Sequence, residues 1–239
     1  MAVSDAKFTP FEDAAGEPPV RGYLHAPAKS SRDESAGDNG ARDGLVLTHG
    51  AGANCNAPLL VAVAEAFCDA GIAVLRCDLP FRQFRPHGPP LRGSAERDRQ
   101  GLRRAIEALR ARAKIRGRIF LGGHSYGGRQ ASMLAAAEPG LVDALLLLSY
   151  PLHPPKAPQQ LRTAHFPELR TPALFASGTR DGFGSLDEMR AALELIPART
   201  QLLPIESAGH ELMTPRNRAT LPATIASAFA AFIAASDGG

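Results

Sequence analysis

The chain is 239 residues long, 44% hydrophobic and 21% charged, with a formal net charge of +3. These values suit one soluble α/β domain spanning residues 1–239 with a sizeable core, and no apolar run is long enough to cross a membrane. The first twenty residues hold Asp5, Glu12, Asp13 and Glu17 and no apolar stretch, so no signal peptide is expected. Cys55, Cys68 and Cys77 form an odd set without CxxC spacing and are expected to be reduced thiols of a cytoplasmic protein.

Lys7 to Glu12 and Val20 to His25 read as two strands of a hairpin, joined through Gly16-Glu17-Pro18-Pro19. Ala28 to Asp43 has almost no large apolar residue and is expected to be a mobile surface loop. Leu45 to Thr48 is a short buried strand that runs into the small-residue turn His49-Gly50-Ala51-Gly52-Ala53. Pro58 opens a helix reaching about Ala70, and Gly71 closes it. Ile72 to Cys77 is the next strand, and Asp78 to Arg92 a loop holding several Pro and Arg.

From Arg92 to Arg118, ten basic and three acidic residues give a local charge of +7, against −4 for the rest of the chain. Leu102, Ala105, Ile106, Leu109 and Ala113 recur there at helical spacing, so the segment reads as a surface helix with an arginine-rich outer face. Such a face is also an electrostatic footprint for an acidic partner, although nucleic acid is not the expected one.

Arg118 to Leu121 is a strand, Gly122 to Gly128 a turn, and Arg129 to Ala137 a helix. Asp143 to Ser149 is a Leu-rich strand. Tyr150 to Thr171 has four prolines in its first nine residues; it is too short and broken for a folded cap and reads as a rim loop. Pro172 to Ser177 is a strand, Leu186 to Ile196 a helix, Gln201 to Ile205 a strand, and Ala219 to Ala235 a last helix. Short apolar strands alternating with helices predict a mostly parallel sheet with helices on both faces and no large cap domain, its ligand site at the carboxyl ends of the strands.

The chemistry centres on Gly123-His124-Ser125-Tyr126-Gly127. Between a strand and a helix, Gly-X-Ser-X-Gly makes a strained turn that lifts the serine hydroxyl clear of the sheet. No Lys-Ser or Lys-Thr pair follows, as a phosphate-binding loop would need, and the glycine spacing is not that of a dinucleotide fingerprint. A serine hydroxyl needs a base within reach and a carboxylate to orient that base. Asp181 and His210 follow Ser125 in chain order, each just past a predicted strand, so all three converge on one rim. Asp187, at a helix start, and Glu206 are rivals for the carboxylate. Oxyanion donors are expected from the backbone N–H of Tyr126 and of Ala51, with Gly52 the alternate. Arg82 and Arg85 point toward the same rim, either to pair with a carboxylate or phosphate on a substrate, or to be solvated or hold their loop through local carboxylates.

With these residues the chain resembles the α/β-hydrolase superfamily from Leu45 onward. Within it, the chain is similar to a compact group that includes the hydrolase-like domains of testis-expressed protein thirty and of subunit three of the NSL acetyltransferase complex. The likeness rests on His49 to Ala53, Leu79-Pro80-Phe81-Arg82, Gly127-Gly128-Arg129, Leu148 to Pro155 and Gly178-Thr179-Arg180-Asp181. His124 and Tyr126 depart from that group's basic residue and methionine on either side of the serine. The resemblance implies a hydrolase fold and a serine nucleophile and names no substrate; the reaction expected of these residues is hydrolysis of a small ester or thioester, with no cofactor and no metal. The other reading is a non-catalytic interaction module that docks a partner through Arg103, Arg104 or Arg110.

Overall fold

In a computed structural model of the chain, residues 8–27 and 42–235 are described; the expected loop Ala28–Asp43, apart from Arg42 and Asp43, and Lys7 of the first strand lie outside them. Eight strands form one sheet: β1 (Thr9–Asp13), β2 (Val20–His25), β3 (Gly44–Thr48), β4 (Ala73–Cys77), β5 (Ile119–His124), β6 (Ala144–Leu148), β7 (Ala173–Gly178) and β8 (Thr200–Ile205). Their order is β1-β2-β4-β3-β5-β6-β7-β8. The first two strands pair antiparallel, β2 pairs antiparallel with β4, and the other neighbours are parallel.

The helices are α1 (Pro58–Asp69), α2 (Pro80–Phe84), α3 (Ser94–Arg112), α4 (Tyr126–Ala137), α5 (Leu186–Leu193) and α6 (Leu221–Ala234), with a 3-10 turn at Phe166–Glu168. Strands β3 to β7 are buried along their whole length, which is why they read as continuous apolar runs rather than alternating ones. Their side chains still alternate between two cores. Val46, Leu75, Leu121, Leu145 and Phe175 pack with α3, α4 and α5 on one face. Leu45, Val74, Phe120, Leu146 and Leu174 pack with α1 and α6 on the other. The edge strands β1 and β8 carry Pro10 and Pro204, tolerated where one side of the strand has no ladder to complete.

Two features correct the loop readings. Asp78 to Arg92 is not uniformly irregular: Pro80 starts a one-turn helix, with Phe81 buried beneath it and its N–H donated to the buried Asp98 (3.0 Å). The Tyr150–Thr171 stretch runs along the rim as expected but is pinned: Tyr150, Leu152, Phe166 and Leu169 are in the core, and the Tyr150 hydroxyl donates to Arg162 O (2.6 Å).

Arg76 departs further from the sequence pattern. It lies mid-strand in β4, fully buried. Its Nε donates to His25 Nε2 (2.8 Å), its Nη1 to Cys55 O and to Asn56 Oδ1 (3.2 Å), and its guanidinium carbon lies 4.9 Å from the centre of the Phe8 ring and 5.1 Å from that of Tyr23. The buried cation is thus held by lone pairs and ring faces, with no carboxylate in the set.

The basic helix is α3, and its charge is partly neutralised. Arg97 pairs with Glu17 (2.8 Å), Arg103 with Glu138, Arg104 with Asp13 (3.5 Å) and Glu107, and Arg99 with Glu96.

Candidate active site

Strand order places the site. β3 has β4 on one side and β5 on the other, so the chain leaves β3 in one direction and β5 in the opposite one. The loops after these two strands diverge and open a crevice at their carboxyl ends. The His49–Ala53 turn follows β3, and Ser125 follows β5.

Ser125 has φ 51° and ψ −115°, a left-handed backbone that non-glycine residues rarely adopt. Its N–H donates to Leu148 O (2.8 Å), which ties the turn to β6. Two flanking glycines are a matter of space. A Cβ on Gly123 would lie 2.7 Å from the Gly127 carbonyl carbon, and one on Gly127 would lie 2.5 Å from His49 O.

The three residues singled out in the sequence come together. His210 Nε2 is 2.8 Å from Ser125 Oγ, and His210 Nδ1 is 2.9 Å from Asp181 Oδ2 and 3.0 Å from Oδ1. With Nδ1–H donated to the carboxylate, Nε2 is left as the acceptor for the serine hydroxyl. Asp181 also accepts from Phe183 N (2.9 Å), and its side chain is only 3% exposed. The Phe183 ring stacks on His210 with centroids 4.0 Å apart, fixing the imidazole plane. Of the rivals, Asp187 lies in the first turn of α5, which Ser185 caps, with its side chain 93% exposed and paired to Arg190, and Glu206 is exposed.

Around this line stand two other histidines, both buried. His49 Nδ1 donates to Gly50 O (2.8 Å), while its Nε2 accepts from Leu79 N (3.1 Å). His124 Nε2 donates to His210 O (2.8 Å). Burial, ahead of neighbouring charges, holds both imidazoles below their ordinary pKa, so both stay neutral. Sequence reasoning assigned them only to turns; the H-G and G-H-S contexts carry no sign of the carbonyls they bind.

The Ala51 turn lies against Ser125: a Cβ on Gly50 would come within 3.4 Å of Ser125 Cβ. The peptide is trans, so the Gly50 carbonyl held by His49 and by Ala53 N (3.1 Å) turns the Ala51 N–H the opposite way. Among the described residues neither the Ala51 nor the Tyr126 N–H has an acceptor; the latter is the first N–H of α4, where helix geometry leaves donors unpaired. The Tyr126 hydroxyl donates to Asp98 (2.7 Å), anchoring the start of α4 to α3.

Arg82 is a correction. It neither faces open solvent nor pairs with a carboxylate. It is 5% exposed and donates to four backbone carbonyls: Ala53 (2.7 Å), Ala51 (2.7 Å), Arg85 (2.9 Å) and Gly88 (3.0 Å). It is a strut beneath the Ala51 turn. Arg85 is exposed.

Cys55, Cys68 and Cys77 are all buried and unlinked. Burial pushes the Cys55 thiol up to about 12 and Cys77 higher still, so neither offers a thiolate near neutral pH. Among the described residues no group of three or more His, Cys, Asp or Glu could cage a metal, and no helix is long and apolar enough to cross a membrane.

An eight-stranded, mostly parallel sheet with a strained serine turn after a central strand is the α/β-hydrolase fold. A family model described as Alpha/beta hydrolase domain matches residues 41–236, and the chain belongs to that family. Among solved structures it is similar to a dienelactone hydrolase from Anabaena variabilis, with TM-score 0.71 and 22% identity over 94% of this chain and 98% of that one. It is similar to Est1E from Butyrivibrio proteoclasticus (TM-score 0.67, 17% identity, 96% and 100% covered). A protein of Xanthomonas campestris described as an α/β serine hydrolase without lid gives TM-score 0.63 at 15% identity, with 94% of each chain covered.

Proposed function

We propose that this chain is a serine hydrolase that cleaves a small ester or thioester through an acyl-enzyme on Ser125. The observation that carries the reading is the hydrogen-bonded line from Ser125 Oγ through His210 (2.8 Å) to Asp181 (2.9 Å), built on a strained turn. In the proposed reaction, Ser125 Oγ attacks the carbonyl carbon as His210 Nε2 takes its proton. Asp181 holds the Nδ1–H tautomer and stabilises the imidazolium. The developing oxyanion accepts from the Ala51 and Tyr126 N–H groups. His210 then returns the proton to the leaving alcohol or thiol, and the acyl group stays on Ser125. Water, deprotonated by the same imidazole, releases the acid and restores the serine. Names such as dienelactone hydrolase among similar structures support hydrolysis as the reaction class. The likeness of Leu148 to Pro155 and Gly127-Gly128-Arg129 to the compact group described above is consistent with this reading and names no substrate. The docking alternative has less in its favour, since Arg103 and Arg104 are engaged by Glu138, Asp13 and Glu107.

A fluorophosphonate probe tests the assignment. The wild-type chain should label on Ser125 and hydrolyse p-nitrophenyl esters of short acids, and Ser125→Ala should do neither while keeping its denaturation midpoint. Equal labelling of both forms would remove Ser125 from its role.

A further inference from the structure

One to two turns beyond Ser125, α4 carries polar residues that the reaction above does not use. Gln130 meets α3, its Oε1 accepting from Arg99 Nη1 (3.0 Å). Ser132 meets the rim stretch, its Oγ 2.8 Å from His165 Nε2. Arg129 lies between them, near enough to Arg162, His165 and Tyr150 for its charge to act on all three. Three guanidinium groups and an imidazole therefore share one half-buried neighbourhood beside the first two turns of α4. Arg99 has Glu96 as a partner; neither Arg129 nor Arg162 has a carboxylate at ion-pair distance among the described residues.

Gathering like charges in partly desolvated surroundings is unfavourable unless something of opposite sign joins them. Burial first, and then Arg129, lowers the affinity of Arg162 for its proton. Burial, then Arg129 and Arg99, pushes His165 down to about 4. Two donors in the group also lack acceptors. One is Arg129 Nε. The other is the amide nitrogen of Gln130, a side chain with 0% exposure. A buried donor without a partner is uncommon in a folded chain and points to a missing acceptor. The cluster has donors to spare and positive charge to spare.

We propose that Arg129 and Arg162, flanked by Arg99, Gln130 and His165, form an anion site, and that a carboxylate or phosphate carried by the substrate occupies it while the ester lies over Ser125. The assignment rests on the hydrolase reading and narrows it to esters with an acidic end. Arg129 N donates to Ser125 O (3.0 Å), so Arg129 stands one helical turn, about 6 Å of rise, beyond the serine. Planar guanidinium forks suit a carboxylate or phosphate better than ammonium groups do.

The test compares the mono-p-nitrophenyl ester of adipic acid with its methyl-capped analogue. Wild type should prefer the charged ester by roughly tenfold or more in kcat/KM, mostly through KM. The ratio should fall to about one in Arg129→Gln and in Arg162→Gln, while Arg110→Gln, on the exposed face of α3, should keep it. A wild-type ratio of one, or a ratio that survives both variants, overturns the proposal. Binding is read separately on Ser125→Ala by titrating adipate and inorganic phosphate while following the His165 imidazole by NMR. Either anion should raise the His165 pKa, and Arg129→Gln should abolish the shift. No shift overturns the site. A shift in a chain that turns over no ester leaves the site standing and removes the hydrolase reading. Phosphate that shifts His165 without competing against the charged ester overturns the assignment to substrate.

Discussion

Replacing Arg82 by Met should damage both stability and turnover, and the two losses have separate origins. The guanidinium donates to four backbone carbonyls at 2.7 to 3.0 Å and is 5% exposed. Each hydrogen bond to a charged group is worth about 1.5–3 kcal/mol, but burying a cation without a carboxylate costs several kcal/mol. The net loss on truncation is therefore about 2–4 kcal/mol, mostly the penalty of carbonyls left unpaired. Turnover falls because the Ala51 carbonyl and the Ala53 carbonyl both lose their anchor, so the turn carrying the proposed oxyanion donor is no longer fixed. Full loss of one such donor costs about 10²–10³ in kcat, and a loosened donor should cost about 10–100. Urea denaturation reads the first effect, and steady-state hydrolysis of a p-nitrophenyl ester reads the second as a fall in kcat with KM little moved. Arg82→Lys should rescue neither, because a compact ammonium cannot span the same four acceptors. Wild-type kcat and stability in Arg82→Lys, or a variant whose only defect is KM for an acidic ester, would refute the strut and return Arg82 to substrate binding.

Asp181→Asn should lower kcat by about 10³–10⁴, since an amide lets the His210 tautomer invert, whereas Asp187→Asn should leave activity within about twofold; an equal effect of both would reopen the choice of carboxylate. Acid should destabilise the chain through His25. Its imidazole is buried as the neutral acceptor of Arg76, and burial followed by Arg76 pushes its pKa from 6.5 down to about 4. The unfolded chain then binds the proton first, so this contribution is complete above pH 6.5 and is lost as pH falls toward 4, on the order of 3 kcal/mol in all. Denaturation midpoints at pH 7, 5.5 and 4.5 should drop more steeply for wild type than for His25→Gln, and parallel slopes would rule the mechanism out.

The fold was legible because local sequence carries it. Apolar runs in β3 to β7 are bounded by Gly, Pro and Asp, and the proline and glycine marks at Pro58 and Gly71 bracket α1 within a residue or two. The order Ser125, Asp181, His210 was also legible, since each residue ends or follows such a run. What local sequence could not carry is long-range polar pairing. Arg76 sits in an apolar strand pattern, and only its distant partners His25 and Cys55 explain how the pattern tolerates a charge there. Arg82 reads as a loop arginine until the Ala51 turn, some thirty residues earlier in the chain, is folded over it. Asp181 over Asp187, by contrast, is a local choice: Asp181 follows the β7 run directly, whereas Asp187 stands at the start of α5.

The part hidden from sequence has a common logic: His210, the imidazole proposed to act on Ser125, is flanked by two others that burial keeps neutral. His124 holds the His210 carbonyl and lies with its ring centroid 5.3 Å from that of His210, close enough for a charge on one to oppose a charge on the other. His49 orients the Gly50 carbonyl and hence the Ala51 donor. Were either protonated near neutral pH, it would oppose the cation that the proposed reaction forms on His210 when Ser125 is deprotonated. Burial prevents this by keeping both neutral, at the cost of desolvating two polar rings, with both His49 nitrogens and His124 Nε2 matched to backbone groups. Two of the three rings thus act as rigid hydrogen-bonding spacers, and the third, partly open to solvent and held by Asp181, is the one the proposed reaction uses to move the proton.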